Sequence, residues 1–164
     1  MRQIGLISDT HSYLHPDLPE IFRDCDEIWH AGDFGGLHVA EALQAIKPLR
    51  GVYGNIDDQE VRAKFPRMLR FRCEDCDVLM THIGGYPGRY ERNIREMMKV
   101  EPPDIFISGH SHILKVMPDK KNDLLHINPG AAGRSGFHKA ITIVRFIIDK
   151  RNVKDLEVLE IKKN

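Results

Sequence analysis

Seven side chains of types that hold metal ions stand just past the ends of five short apolar runs. The runs read Leu6-Ile7-Ser8-Asp9-Thr10-His11, Ile28-Trp29-His30-Ala31-Gly32-Asp33, Val52-Tyr53-Gly54-Asn55, Leu79-Met80-Thr81-His82 and Ile105-Phe106-Ile107-Ser108-Gly109-His110-Ser111-His112. In an open α/β sheet, ligands gather outside the carboxyl ends of parallel strands. Runs that lie parallel would therefore deliver Asp9, His11, Asp33, Asn55, His82, His110 and His112 to one edge. Two carboxylates, an amide and four imidazoles are too many polar groups to bury together without a cation, and too many for one tetrahedral ion. Oxygen and nitrogen donors without thiolate suit first-row divalent metals, and a carboxylate able to bridge points to two ions about 3.5 to 4 Å apart.

Each residue type has its own reason. Asp9 and His11 are two apart, which at a strand end would put both side chains on one face as a chelating pair. Gly32 and Gly54 leave the backbone room to turn sharply before Asp33 and Asn55. Asp33 is expected to bridge. The Asn55 carbonyl oxygen can ligate one ion while its amide nitrogen donates to a substrate oxygen. His110 and His112 could reach different ions from one turn, and His82 completes the second site.

The elements that must position these groups follow from the pattern. Ile4 to Ile7, Glu27 to Trp29 and Gly51 to Tyr53 read as strands, separated by helical segments at Leu18 to Cys25 and Leu37 to Ile46, the latter stopped by Pro48. Met68 to Arg72 and Val78 to Thr81 read as a hairpin turning at Glu74 to Asp77. A helix is expected over Arg89 to Val100, closed by Pro102 and Pro103, then a buried strand from Ile105 to Ile107. Leu124 to Ile127, Ala140 to Ile148 and Val153 to Ile161 read as strands, the last two joined by a turn at Asp149 to Asn152. Parallel strands early and antiparallel strands late favour two sheets packed face to face with helices outside.

Composition narrows the class. A length of 164 residues corresponds to one domain, taken as residues 1 to 164. With 24 basic and 24 acidic residues the formal charge is zero, which speaks against general nucleic-acid or anionic-membrane binding by a positive field. No apolar run approaches the roughly 18 residues of a spanning helix. Met1 to Ile7 lacks the features of a signal peptide, and three cysteines cannot all pair within one chain, so the cytoplasm is the expected location. Homo-oligomerisation stays open.

Asp-x-His, Gly-Asp, Gly-Asn-x-Asp, a strand-terminal His and Gly-His-x-His, in that order from Ile4 to about Gly133, resemble the calcineurin-like metallophosphoesterase superfamily. The short chain and Asn128-Pro129-Gly130 resemble its small prokaryotic phosphodiesterase branch. The resemblance implies an α/β fold, a four-layer αββα sandwich of two mixed β-sheets flanked by helices. It implies a phosphoesterase, in particular a phosphodiesterase with a small phosphodiester as its partner, in which a hydroxide bridging two metals attacks phosphorus in line. By the same resemblance Asp9, His11, Asp33 and His112 hold one ion, and Asp33, Asn55, His82 and His110 the other. Asp33, Asn55 and His82 take the direct catalytic parts. Two divalent ions per chain are expected, manganese first, with nickel, cobalt, zinc or iron as alternatives. The alternative function is a catalytically weak scaffold or binding module on the same fold, as in a retromer subunit whose lineage has eroded ligands.

The departures are specific. Many members read Gly-Asn-His-Asp, where the histidine protonates the leaving oxygen, and here that position is Ile56. Asp57 has no such imidazole to orient. Ile83 follows His82 where a glycine is more usual. His30 could lie behind the site, whereas His15, His38, His126 and His138 read as structural or surface residues. Cys73-x-x-Cys76 brackets a hairpin turn, which favours two reduced thiols over zinc or redox chemistry. The glycines from Gly84 to Gly88 with Arg89, and Arg134, are weaker candidates for meeting a phosphate.

Overall fold

The computed structural model describes residues 1–163. Its elements are β1 (Arg2–Ile7), α1 (Leu18–Ile21), β2 (Glu27–His30), α2 (Leu37–Ile46), β3 (Leu49–Gly51), α3 (Gln59–Lys64), β4 (Met68–Cys73), β5 (Cys76–Thr81), β6 (Gly85–Tyr86), β7 (Arg89–Tyr90), α4 (Arg92–Val100), β8 (Ile105–Ile107), β9 (Leu114–Asp119), β10 (Leu124–Pro129), β11 (Ala140–Asp149) and β12 (Asn152–Lys162). The strands form two five-stranded mixed sheets, ordered β12-β11-β1-β2-β3 and β4-β5-β8-β10-β9, plus the small β6-β7 ribbon.

Alternation along the strands decides the layering. Ile4, Leu6, Trp29, Val144 and Phe146 of the first sheet meet Val78, Met80, Ile105, Ile107 and Ile127 of the second in one buried core. The opposite face of the first sheet packs Ile7, Ile28 and Ile143 against Phe22, Val39, Leu43 and Val61. The opposite face of the second packs Leu79 and Phe106 against Ile94 and Met98 of α4. The result is the expected four-layer αββα sandwich.

Direction matters more for the site than layering. β1, β2 and β3 are mutually parallel, as are β5, β8 and β10. All five strands that precede a ligand block therefore point their carboxyl ends the same way within their sheet.

Several expected bounds shift, each for a local reason. The first helix is one turn, not Leu18 to Cys25, because the chain turns at Phe22 and Cys25 so that the Asp26 amide can reach the Gln3 carbonyl at 2.7 Å and set β2 beside β1. β3 ends at Gly51, not Tyr53, because the Tyr53 amide leaves the sheet to bond Pro66 O at 3.0 Å. The fourth helix starts at Arg92, since Arg89 and Tyr90 pair with Gly85 and Tyr86. Sequence reading missed α3, which Asp58 caps by accepting from the Val61 amide at 3.1 Å. It also missed β9, whose Pro118 and half-exposed side chains fit only an edge strand.

Candidate metal centre

The five ligand loops converge at one edge, where all seven expected side chains meet. Two triads form, Asp9 with His11 and His112, and Asp33 with His82 and His110, each with its donor atoms within 4.8 Å of one another. His112 Nε2 lies 3.2 Å from Asp9 Oδ1, and His82 Nε2 lies 3.1 Å from Asp33 Oδ2. Asp33 Oδ2 is also 3.5 Å from His11 Nε2 of the other triad, so this one oxygen faces both halves. Asn55 joins through Oδ1, 3.1 Å from His110 Nδ1.

The surrounding hydrogen bonds select which atoms remain for a cation. Asp9 Oδ2 accepts from Ser8 Oγ at 2.6 Å and from the His110 amide at 3.1 Å. His82 Nδ1 is 2.7 Å from the Ala31 carbonyl, which can only accept, so the ring proton sits on Nδ1 and the Nε2 lone pair is free. Asp9 Oδ1, His11 Nε2 and His82 Nε2 are then buried with no hydrogen-bond partner. Three unmet buried groups aimed at one another, two of them imidazole nitrogens, fit a divalent cation pair. Electrostatics agree. Burial alone would raise the Asp9 carboxyl, but His11, His112, His82 and Ser8 hold it far below the ordinary range. Burial likewise acts to raise Asp33, and His82 overrides it downward. Two buried carboxylates are thus held ionised side by side.

Backbone strain is concentrated here. Asp9, His11, Asp33, His110 and His112 all have φ between 44° and 71°, the left-handed region, at about 1 to 3 kcal/mol each. Asp9 and His11 therefore converge, but not by sharing a strand face, since β1 ends at Ile7. Glycine placement also differs from the simple turn argument. Gly32 has φ +99°, and a Cβ there would stand 2.5 Å from His82 Nδ1. Gly54 has no such φ, yet a Cβ on it would meet Asp33 Oδ1 at 2.0 Å, and one on Gly109 would meet Ser8 Oγ at 2.3 Å. These glycines let one ligand loop lie directly on another.

Other residues around the centre have defined jobs. Asp57 accepts from the amides of Phe34 at 3.2 Å, Gly35 at 2.9 Å and Gly54 at 2.8 Å, tying the Asp33 loop to the Asn55 loop. Arg62, which sequence reading passed over, donates to Asp57 O at 2.7 Å and Asn55 O at 3.3 Å. His30 is wholly buried, accepts from the Gly32 amide through Nδ1, bonds Thr10 Oγ1 through Nε2 and stacks on Phe34. Burial pushes its pKa down to about 3. It is a neutral brace for the Asp33 loop. His138, read as structural, packs edge-on against His112. His15 and His38 belong to neither triad. Gly85–Tyr86 and Arg89–Tyr90 form the β6-β7 ribbon, with Gly84 and Gly85 on the wall of a cavity that also touches His110, and Arg134 lies over the Tyr13 ring. Cys73 and Cys76 are buried, free ladder partners across a two-residue turn, their thiols pushed up by burial.

Residues 1–151 match the sequence profile of the calcineurin-like phosphoesterase superfamily domain. The chain belongs to that superfamily. Within it, the probable metallophosphoesterase of Methanothermobacter thermautotrophicus is 31% identical over 133 residues, covering 78% of this chain and 76% of its own. The calcineurin-like fold is shared with Vps29 of Chaetomium thermophilum at TM-score 0.74, 14% identity and full coverage of both chains. It is shared too with a predicted phosphoesterase of Streptococcus pneumoniae at TM-score 0.67 and 20% identity, over 97% of each chain. Among the described residues, no helix of this superfamily member is long and apolar enough to cross a membrane.

Proposed function

We propose that this metallophosphoesterase is a phosphodiesterase that hydrolyses a small diester by in-line attack of water at a two-metal centre. The observation that carries the reading is the pair of triads with Asp33 Oδ2 facing both, and with Asp9 Oδ1, His11 Nε2 and His82 Nε2 buried and unmet. Asp9, His11, Asp33 and His112 would hold one ion, and Asp33, Asn55, His82 and His110 the other. Bound there, divalent cations supply a nucleophile at neutral pH and neutralise charge developing on the phosphoryl oxygens. Manganese is the first candidate.

The chain's own groups do the positioning. Asn55 is exposed beside the centre, and its amide nitrogen, without a partner among the described residues, is free to donate to a phosphoryl oxygen. Next to Asn55 and His82 lies a cavity of about 300 Å³ lined also by Arg62 and Arg67, whose charge favours an anionic phosphate. The Asp57 oxygens are taken up by three amides, and His30 is shut away from solvent, so neither reaches a substrate. Ile56, half-exposed beside Asn55, offers no proton. The departing oxygen must carry its own negative charge, which favours aryl leaving groups, and a diester monoanion asks less of the site than a monoester dianion.

The test is an activity panel with Mn²⁺, Ni²⁺, Co²⁺, Zn²⁺ and Mg²⁺ on wild type and Ile56→His. Bis-(p-nitrophenyl) phosphate should be turned over faster than p-nitrophenyl phosphate by wild type, and Ile56→His should narrow the gap. Wild type that prefers the monoester, or a flat leaving-group series where chemistry limits turnover, refutes the reading. A second reading, a binding module on the same fold, predicts no turnover with any metal. The complete, strained ligand set favours the enzyme.

A further inference from the structure

Beside the centre, a second cavity of about 130 Å³ runs from the ligand His110 to His126, with Ile83, Tyr86, Ile113 and Lys115 among its walls. His126 sits on β10, whose alternation sends Leu125 and Ile127 into the core between the sheets and His126 to the other face. The side chain is fully buried. Its Nδ1 is 3.1 Å from the Phe106 carbonyl, an acceptor only, so the proton is on Nδ1. Nε2 is left as a buried lone pair with no partner, a condition that ordinarily destabilises a fold unless a donor arrives. Burial first, then the nearby Lys115 charge, holds the imidazole pKa down to about 4, so the ring stays a neutral acceptor at physiological pH.

Of the other polar groups on these walls, none bonds Nε2: Ser111 Oγ accepts from the Ile113 amide at 3.1 Å, and Glu91 stands on the wall as a carboxylate. Asn128 spends its amide nitrogen on Gly109 O at 3.0 Å and Ser111 Oγ at 3.1 Å, and its oxygen on the Gly130 amide at 3.0 Å, bracing the loop that carries His110 and His112. Lys115 Nζ rests 3.9 Å over the Tyr86 ring. The apolar walls include Ile83 and Ile113, each the residue directly after a ligand, His82 and His112. A group reaching in past these apolar side chains comes to the wall that the His126 ring forms, the ring whose Nε2 is buried without a partner. Glu91 and Lys115 set opposite charges on the walls, so neither an anion nor a cation is singled out, whereas the lone pair takes a neutral donor.

We propose that this cavity seats one alcohol arm of the phosphodiester and that His126 Nε2 reads a neutral O–H or N–H donor on that arm. The proposal rests on the phosphodiesterase reading and deepens it, naming as substrate a diester with a donor-bearing arm, hydroxyalkyl or nucleoside, rather than a plain alkyl one.

The experiment compares p-nitrophenyl diesters that release the same phenol but retain a butyl, a 4-hydroxybutyl or a thymidine-5′ arm. In wild type, kcat/KM for a donor-bearing arm should exceed that for butyl about fivefold or more, the worth of one hydrogen bond, and in His126→Phe that ratio should fall to near one. Which donor arm gains distinguishes a hydroxyalkyl from a nucleoside substrate. Independently of turnover, the ¹⁵N resonance of His126 Nε2 in wild type with Mg²⁺ should move upfield on adding 4-hydroxybutyl phosphate or thymidine 5′-phosphate, and should stay put with butyl phosphate. An unchanged ratio in His126→Phe, an equal loss on all three esters, or a resonance that ignores both donor probes would overturn the proposal and leave His126 a hydrated structural residue. If no diester is hydrolysed with any metal, the phosphodiesterase reading fails, while the resonance still decides the cavity. If His126→Phe does not fold, the same resonance in wild type decides.

Discussion

Replacing Gly54 with alanine adds one methyl group and should disable the metal centre. The new Cβ would lie 2.0 Å from Asp33 Oδ1 and 2.4 Å from the Asp33 amide nitrogen, about 1.4 Å short of the 3.4 Å at which ordinary contact with that oxygen begins. Neither neighbour can yield freely. Asp33 Oδ1 also accepts from the Ile56 amide at 3.1 Å, and the Gly54 amide is held by Asp57 at 2.8 Å. Relief must come from withdrawing the Asp33 carboxylate or spreading the two loops. Metal sites hold their ligand distances to about 0.2 Å, so either movement should weaken metal binding by about 10- to 100-fold, with activity falling at least as far. Crowding of this kind costs about 1 to 3 kcal/mol of stability, a fall in Tm of several degrees for a chain of this length. Gly88→Ala is the control, because its Cβ would meet nothing within 4 Å although its φ is +88°. That variant should lose stability through backbone strain and keep its metal affinity. Metal titration by calorimetry, paired with thermal unfolding in EDTA, separates the effects. Gly54→Ala with wild-type metal affinity would refute the reasoning.

Three further outcomes follow from the same geometry. Asp33→Asn should lose metal and at least about 100-fold of activity, since Oδ2 faces both triads, and retention of both in elemental analysis and turnover would count against the bridge. The Cys73→Ser, Cys76→Ser double variant should keep metal content and turnover, because these free thiols lie outside both triads, and a large loss of either would expose a missed site. His126, with an ordinary pKa of 6.5 and a folded one of about 4, takes its proton in the unfolded chain before the folded one. Stability should therefore be lost as pH falls through that window, by about 3 kcal/mol from this group, and His126→Phe in EDTA should show a shallower acid loss. Parallel urea-unfolding curves for the two proteins between those pH values would contradict this.

The ligands could be read from the sequence because each stands at a strand end, where period and apolar run length announce the strand and parallel pairing brings the ends together. The core strands β8 and β11 are long or apolar enough to stand out, whereas edge strand β9, interrupted by Pro118, offers no such signal. The left-handed backbone at Asp9, His11, Asp33, His110 and His112 was not readable, because it is imposed by loops crossing one another and not by the residues themselves. The same holds for Gly54, whose reason lies 21 positions away at Asp33. Asp57 looked idle next to Ile56 because its partners, the amides of Phe34 and Gly35, come from another loop. His126 reads as one more core histidine until its second nitrogen is found without a partner.

The most direct test of the central claim is the metal stoichiometry of the active protein, measured by titrating Mn²⁺ into EDTA-stripped, dialysed chain while following bis-(p-nitrophenyl) phosphate hydrolysis. Two ions per chain, with turnover rising to its plateau as the second site fills and vanishing with excess EDTA, is the predicted result. One ion or none at full activity, or hydrolysis that survives EDTA, would contradict a two-metal phosphoesterase built on Asp33.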